Sequence, residues 1–447
     1  MVLGYATLRY GGILAADWNP CVVALGVVLI AGYLPVGSDQ IPVPVDRLLY
    51  LALLAIPFWA LLQTVPMPIA WIAHLSPERA ALAQPLLRFH PYPGWIPLSI
   101  RPEATLQYAL RYLAFSATFL IARDLVRRMP ERPWIVALPP VLIASLEAAI
   151  GFVQNSSGVA NVTVSGTFVD RDHFAAMLEM CLPFAVGAVL EFAPGGVRAW
   201  AACAGAGVAA LLFAGITFSL SRAGFFVALV SILLLIWLHA MTRLRGAARI
   251  FAAGGSLLAV TSASAVFASG RLLERMASST SGDIPLNDRF LFWKEALRVV
   301  AAYPVFGCGF GGFVSAVTPY RAASVTRTLD YVHNDYLQFL AEGGVIGVAM
   351  AVVVGTIVAR AAWRGILRTR SQRRRDFAIV CTVSLLAGTI HSGVDLITYV
   401  PATGMLLCWI AGMTAGLDPG DGSSGNADRR GMRGTPLAFQ AMMRREY

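Results

Sequence analysis

Residues 331–347 read YVHNDYLQFLAEGGVIG. A histidine, an asparagine and an aspartate stand directly before an apolar run, Leu337 to Ala359, interrupted only by Gln338, Glu342 and small residues. Its length and apolarity predict a membrane-spanning helix, which needs about 20 residues. His333, Asn334 and Asp335 then sit at the mouth of that helix, where the N-terminus favours negative charge. A titratable imidazole beside an anion-attracting helix end suits chemistry on an anionic substrate. The plainer reading is that Asn334 or Asp335 caps the helix and His333 is an interfacial residue.

The rest of the chain weighs between the two. Of 447 residues, 57% are apolar and only 13% are charged, and mean hydropathy is +0.66. A soluble domain carries about a quarter charged residues, so the chain reads as an all-α polytopic membrane protein. A net charge of +10 would suggest nucleic acid in a soluble protein. Here it reads as cytoplasmic arginines orienting helices, with no nucleic-acid partner. Cys21, Cys181, Cys203, Cys381 and Cys408 lie in or beside apolar runs, and Cys308 is alone in a loop. No pairing or metal-ligand spacing appears, so neither a disulfide framework nor a metal site is expected. No small-residue cleavage site follows the first apolar run, so no cleavable signal peptide is expected.

Eleven membrane segments are predicted, centred on 21–36, 48–65, 104–122, 134–153, 173–192, 199–217, 222–240, 249–268, 336–359, 377–397 and 401–416. Arginine sets their direction. Arg123, Arg127, Arg128 and Arg132 fall between the third and fourth segments, and Arg243, Arg245 and Arg249 between the seventh and eighth. Seven more, from Arg360 to Arg375, fall between the ninth and tenth, and a further group lies in the tail. If the segments alternate, all four groups share one side, and that side is cytoplasmic. The regions 66–103, 154–172 and 269–335 then face outward. Eleven segments with the tail inside put the N-terminus outside, which suggests a twelfth helix missing from the start or a misread first run. Residues 1–416 form the membrane domain. The polar, glycine-rich tail, 417–447, is expected to be disordered.

Within the long outward loop, Asp288 to Val300 places Phe290, Leu291, Trp293, Leu297 and Val300 at helical spacing. That predicts an amphipathic helix lying along the membrane surface. Gly307, Gly309, Gly311 and Gly312 follow and predict a flexible turn. The GCGFGG run lacks the strand–turn–helix context of a dinucleotide fingerprint, so that reading is rejected. In the first outward loop, residues 77–88 suit a short surface helix.

Ionisable residues at membrane depth are costly and are functional candidates. Arg222 stands at the outer end of the seventh segment, against the orientation rule, and Arg289 begins the amphipathic helix. Asp395 lies near the outer end of the tenth segment, one helical turn after His391, so the two share a face. Asp170, Arg171, Asp172 and His173 precede the fifth segment on the same side. Glu147 and Glu179 lie deeper. Each has a plainer explanation: arginines snorkel, and Asp395 could simply pair with Arg222. Their convergence on one membrane face is the stronger signal. Two arginines and a histidine near helix ends suit a pyrophosphate, because arginine binds phosphate oxygens bidentately. A histidine can take a proton from an attacking hydroxyl. The chemistry so described is glycosyl transfer from a lipid-pyrophosphate donor.

At this point HNDYLQFLAEGGVIG resembles the signature of the O-antigen ligase and Wzy polymerase superfamily. So do RFLFWKEALRVVAAYPVFGCGFGGF, SLSRAG, GTFVDRDHFAAMLEMCLPFAVG and HSGVDLITYVPATG, in the family's order across roughly residues 97–410. The resemblance implies a GT-C type fold of about 11–12 transmembrane helices in the bacterial inner membrane. It implies an active site facing the periplasm and an inverting glycosyltransferase that needs no cofactor. The donor would be an undecaprenyl-pyrophosphate-linked glycan. The acceptor would be lipid A-core for a ligase or a second lipid-linked glycan for a polymerase. Carried over by motif, Arg222 and Arg289 would hold the pyrophosphate and His333 would be the acceptor's base. Asp395 would support them, with Asn334, Asp335, Arg171, His173 and His391 around them. A flippase would instead show an internal repeat and binding groups near the midplane. The signatures of the shape, elongation, division and sporulation polymerases are not evident. A protein O-oligosaccharyltransferase remains an alternative, though those usually carry an extra periplasmic region.

Overall fold

The computed structural model describes residues 1–33, 46–87, 94–156, 164–192, 199–244, 246, 254–255, 286–321 and 330–418. The expected eighth segment, 249–268, lies outside the described residues except for 254–255, and so does the tail beyond 418. The chain is an all-α polytopic membrane protein, and its only described strands are Pro66–Pro68 and Trp95–Pro97, which pair antiparallel.

Fifteen α-helices are described. In chain order they are α1 (Val2–Leu8), α2 (Ala15–Tyr33), α3 (Arg47–Thr64), α4 (Ile69–Leu75), α5 (Pro77–Leu87), α6 (Pro102–Arg128), α7 (Trp134–Ser156), α8 (Arg171–Phe192), α9 (Ala199–Ser219), α10 (Arg222–Arg243), α11 (Leu286–Ala302), α12 (Phe313–Ala316), α13 (Asp335–Leu367), α14 (Gln372–His391) and α15 (Pro401–Gly416). Their starts follow from local chemistry. The side chains of Asp46, Ser221, Asn334 and Ser371 each accept a bond from a backbone N–H of the first turn, a cap worth about 1 kcal/mol. Pro102 and Pro401 stand where their missing N–H costs nothing.

Among the described residues, seven helices are long and apolar enough to cross a membrane: α2, α3, α7, α8, α9, α10 and α13. Three more occupy expected segments but miss that standard for visible reasons. Helix α6 carries Gln107 and Arg111 inside its span, α14 opens on Arg373, Arg374, Arg375 and Asp376, and α15 has only 16 residues. All three pack inside the bundle. Helix α15 lies against α6, and α14 lies between α8 and α10. Helix α8 is the most enclosed of the seven, with 72% of its span buried, and so marks the centre.

The two ends of the bundle differ in chemistry. At one end Arg243 closes α10 and meets Glu191 of α8 at 2.8 Å and Asp376 of α14. At the other end lie the start of α8, the start of α13 and the loop after α14. The tenth segment departs from expectation here. Helix α14 stops at His391 rather than continuing to 397, and residues 392–400 form an irregular loop. Its Ser392, Val394 and Asp395 N–H groups turn back onto the last helical carbonyls. Asp395 is therefore a loop residue, which changes its partner.

The predicted amphipathic helix also forms, but with a different inner face. Phe292, Ala296 and Val299 are the buried residues of α11, joined by Tyr303, Phe313 and Val332. Phe290 and Leu297 are exposed. The covering residues of the protein itself, not a lipid surface, select that face. The expected surface helix at 77–88 is α5, and Arg79 fixes it by donating from Nε to the carbonyls of Pro97 and Ser99 at 3.1 and 3.3 Å.

Candidate active site

The site is built on a break in α13. Gly344 has φ 65° and ψ −173°, a conformation open essentially to glycine alone. The break frees carbonyls on the preceding turn, and a glycine loop takes them. Cys308 N–H donates to Ala341 O at 2.9 Å, and Gly309 N–H to Glu342 O at 3.1 Å. Beyond the break, Val345 N–H donates to Pro304 O at 3.0 Å. Gln63 of α3 closes the junction from the other side, donating to Phe306 O at 2.7 Å and Glu342 O at 2.9 Å. Trp59 Nε1 donates to Gly343 O at 2.9 Å. The expected flexible turn at 307–312 is thus a rigid graft onto the broken helix. Backbone groups freed at membrane depth must find partners, and here the loop supplies them.

The Glu342 side chain is fully buried at the same junction. It accepts from Tyr399 Oη at 2.8 Å and Gln338 Nε2 at 2.9 Å. The loop after α14 is therefore tied to the end of the first limb of α13.

The tie is repeated at the helix start, around His333. Asn334 caps α13 by accepting from Leu337 N–H at 3.1 Å, and its amide donates to Gly393 O at 2.8 Å. Asp335 accepts from Ser392 Oγ, Ile397 N–H and Thr398 N–H at 2.9, 2.9 and 3.0 Å. These bonds grip the 392–398 loop on both sides of Asp395. The plainer reading of Asn334 and Asp335 is right as far as it goes: one caps and the other holds a loop. Directly before them His333 stands in the left-handed region, at φ 53°, a strain of about 1–3 kcal/mol for a non-glycine residue. Its Nδ1 lies 3.0 Å from Asp395 Oδ1.

Asp395 is buried, and its electrostatics fix the pair. Burial alone would raise its carboxyl. The hydrogen bond with His333 and the charges of His173, His333 and His391 outweigh that and hold it well below the usual carboxylate range. An ionised carboxylate can only accept, so Nδ1 carries a proton in this pair, and whenever the ring is neutral the free lone pair is on Nε2. The His333 side chain is 25% exposed, so that nitrogen is within reach of a ligand.

Among the other candidates, Arg289, His173 and His391 reach this pair. Arg289 Nη1 donates to Val394 O at 2.7 Å, which places its guanidinium one residue from Asp395. Arg222 is half-buried as the first residue of α10, and Arg171 is half-buried as the first residue of α8. His173 is close enough to act on the charge of both Asp395 and Asp170. Burial pushes the Asp170 carboxyl up from its ordinary value, with His173 opposing. His391 turns inward, where its Nδ1 meets Glu179 Oε1 at 2.8 Å with both side chains fully buried, and it is still close enough to act on the charge of Asp395. Glu147 is likewise structural. It accepts from Thr167 N–H at 2.8 Å and Thr167 Oγ1 at 2.7 Å, holding the loop before α8. The alternative pairing of Asp395 with Arg222 gives way to the pairing with His333.

Several positioning residues escaped the sequence reading: Trp59, Gln63, Tyr399 and Ser392. Gln63 left a trace, as a lone amide in an apolar run. Glu342 left the same kind of trace, as a lone acid. Trp59 and Tyr399 left none, because aromatic residues at a membrane surface are ordinary.

A search of curated proteins returns no match. Residues 207–352, about a third of the chain, match the family model described as O-antigen ligase. That segment runs from within α9 through the break in α13, so the stretch that is similar to the O-antigen ligase family is the one that carries Arg222, Arg289 and His333.

Proposed function

We propose that this ligase- or polymerase-type membrane protein is a glycosyltransferase working at the outer face of the bacterial inner membrane. It moves a glycan from undecaprenyl pyrophosphate to an acceptor hydroxyl, on lipid A-core or on another lipid-linked glycan. The observation that carries this reading is the His333–Asp395 pair at 3.0 Å, which leaves an accessible imidazole nitrogen beside the arginine of α11. A sugar hydroxyl is a poor nucleophile and must lose its proton as the new bond forms. A lipid pyrophosphate is already a good leaving group and needs only its charge stabilised. One base and several cations therefore suffice. The acceptor oxygen attacks the anomeric carbon, its proton passes to His333 Nε2, and the bond from that carbon to the pyrophosphate oxygen breaks. Arg222 and Arg289 hold the departing pyrophosphate. A single displacement inverts the anomeric carbon, and retained configuration in the product would defeat it.

Deletion of the gene followed by analysis of surface glycan tests the reading. Loss of a ligase leaves full-length chains unattached. Loss of a polymerase leaves single repeat units. Unchanged glycan would refute both.

Two expected results follow for the parts. Arg222→Ala and Arg289→Ala each weaken use of the donor, and lysine at either position rescues only partly, because it restores the charge without the planar fork. Normal glycan output from both alanine variants, at normal protein level, would remove these residues from the site. For orientation, a cysteine at position 368 is labelled only from the cytoplasm, and cysteines within 269–335 only from the periplasm. Labelling of position 368 from outside in intact cells would invert the arrangement.

A further inference from the structure

At the end of α13 farthest from His333, Thr356, Ala359, Arg360, Trp363, Arg364 and Arg368 line an open groove of about 410 Å³. The three arginines recur every four residues, so they stack turn upon turn on one side of the helix. Among the described residues the groove's lining holds no carboxylate. Arg364 is partly engaged, with Nη1 3.4 Å from Asp418 Oδ2. Arg360 and Arg368 are exposed.

Depth identifies what the groove faces. Beyond the break at Gly344, Val345 to Ala359 carry no charge over roughly 22 Å of helical rise, and Arg360 is the first charged residue after them. The arginines therefore sit among the headgroups of the far leaflet. Trp363, 66% exposed, sits at the level where indole rings mark the boundary with hydrocarbon. Toward the middle of the membrane the same side continues as Val345, Ala349, Val352, Val353 and Thr356, all exposed. An apolar track with an aromatic collar and converging guanidinium groups has the layout of a lipid: acyl chain, glycerol, phosphate. Snorkelling alone would let the arginines fan apart; instead all three line one concavity.

We propose that this groove is a binding site for an anionic phospholipid, with its acyl chain along α13 and its phosphate held by Arg360, Arg368 and, in part, Arg364. Basic pockets of this kind recognise acidic headgroups by charge and by forked hydrogen bonds. The site is separate from the His333 end and does not depend on the reaction assigned there.

The test uses the full-length protein in detergent, equilibrated with equal amounts of cardiolipin and phosphatidylethanolamine, with the retained lipid then quantified. The wild-type protein is expected to enrich cardiolipin. Arg360→Gln/Arg368→Gln is expected to lose that enrichment on the order of 30-fold, from the contribution of two arginines near the surface. The corresponding double lysine variant should keep part of it. Added inorganic phosphate should fail to displace the lipid, because the acyl track is empty for a free ion. Equal retention of the two lipids by wild-type protein overturns the proposal, even if the variant fails to fold. So does wild-type enrichment in a folded double glutamine variant, or full displacement by inorganic phosphate.

Discussion

Replacing His333 with alanine is expected to slow glycan transfer by a factor on the order of 10²–10⁴, the range for loss of a general base, while donor binding survives. The pH dependence separates this role from a competing one. A base loses activity as pH falls through its pKa, whereas a cation anchoring pyrophosphate loses it as pH rises. Asp395 does not blur the result. Its folded carboxyl is held below the usual range, so its contribution is complete above the unfolded value of about 3.9 and fades only as pH falls through the lower folded value. Between pH 5 and 9 it stays charged. An assay of purified enzyme with a lipid-linked donor across that window is therefore expected to show activity falling on the acid side. Activity that instead rises toward pH 5 would make His333 a phosphate ligand. Asp395→Asn offers a second check: it removes the charge and adds an amide donor that can favour the other tautomer, so it should lower turnover far more than donor affinity.

The second large effect is structural. Gly344→Ala is expected to cost more than about 3 kcal/mol, combining backbone strain in a glycine-only region with a steric conflict. A Cβ at Gly344 would overlap the carbonyl oxygen of Val305, and one at Gly307 would overlap that of Glu342. Loop and helix cannot both keep their places. The variant should accumulate poorly or melt early in detergent, and Gly307→Ala should do the same. By contrast Gly355→Ala, which meets nothing within 4 Å, should be tolerated. Wild-type melting of Gly344→Ala would show that the junction yields, and that the break in α13 is not held by this loop.

How much of this could be read from the sequence varies with the kind of information involved. Hydropathy located α3, α7 to α10, α13 and α15 closely, because a bilayer imposes a length on any helix that crosses it. The orientation rule singled out Arg222, and the histidine beside an acidic helix start singled out His333. Partnership was not legible. Asp395 was within reach of Arg222 or His333 on sequence grounds. The choice depends on where α14 stops, and that is set by Asn334 and Asp335 gripping the loop from another helix. The partner of His391 was hidden in the same way: nothing in the sequence pairs it with Glu179, 212 residues away. The inner face of α11 was misread because Phe290 and Leu297 are as apolar as Phe292 and Val299. Only the neighbours Phe313 and Val332 decide which pair is covered. The glycines at 307–312 suggested freedom, when they were required for contact.

The graft between α3 and the break in α13 also bears on the order of synthesis. Gln63 and its acceptor on Glu342 are 279 residues apart in the chain. At 5–20 residues per second, a ribosome needs roughly 15 to 55 s between the two. Throughout that interval α3 is in the membrane with a carboxamide and an indole N–H whose final acceptors do not exist. Newly made protein must park these groups against water, lipid headgroups or the insertion machinery until α13 arrives. The junction is, during manufacture, among the later ones to close, and a chain truncated before α13 presents that polar edge of α3 to the cell's quality control.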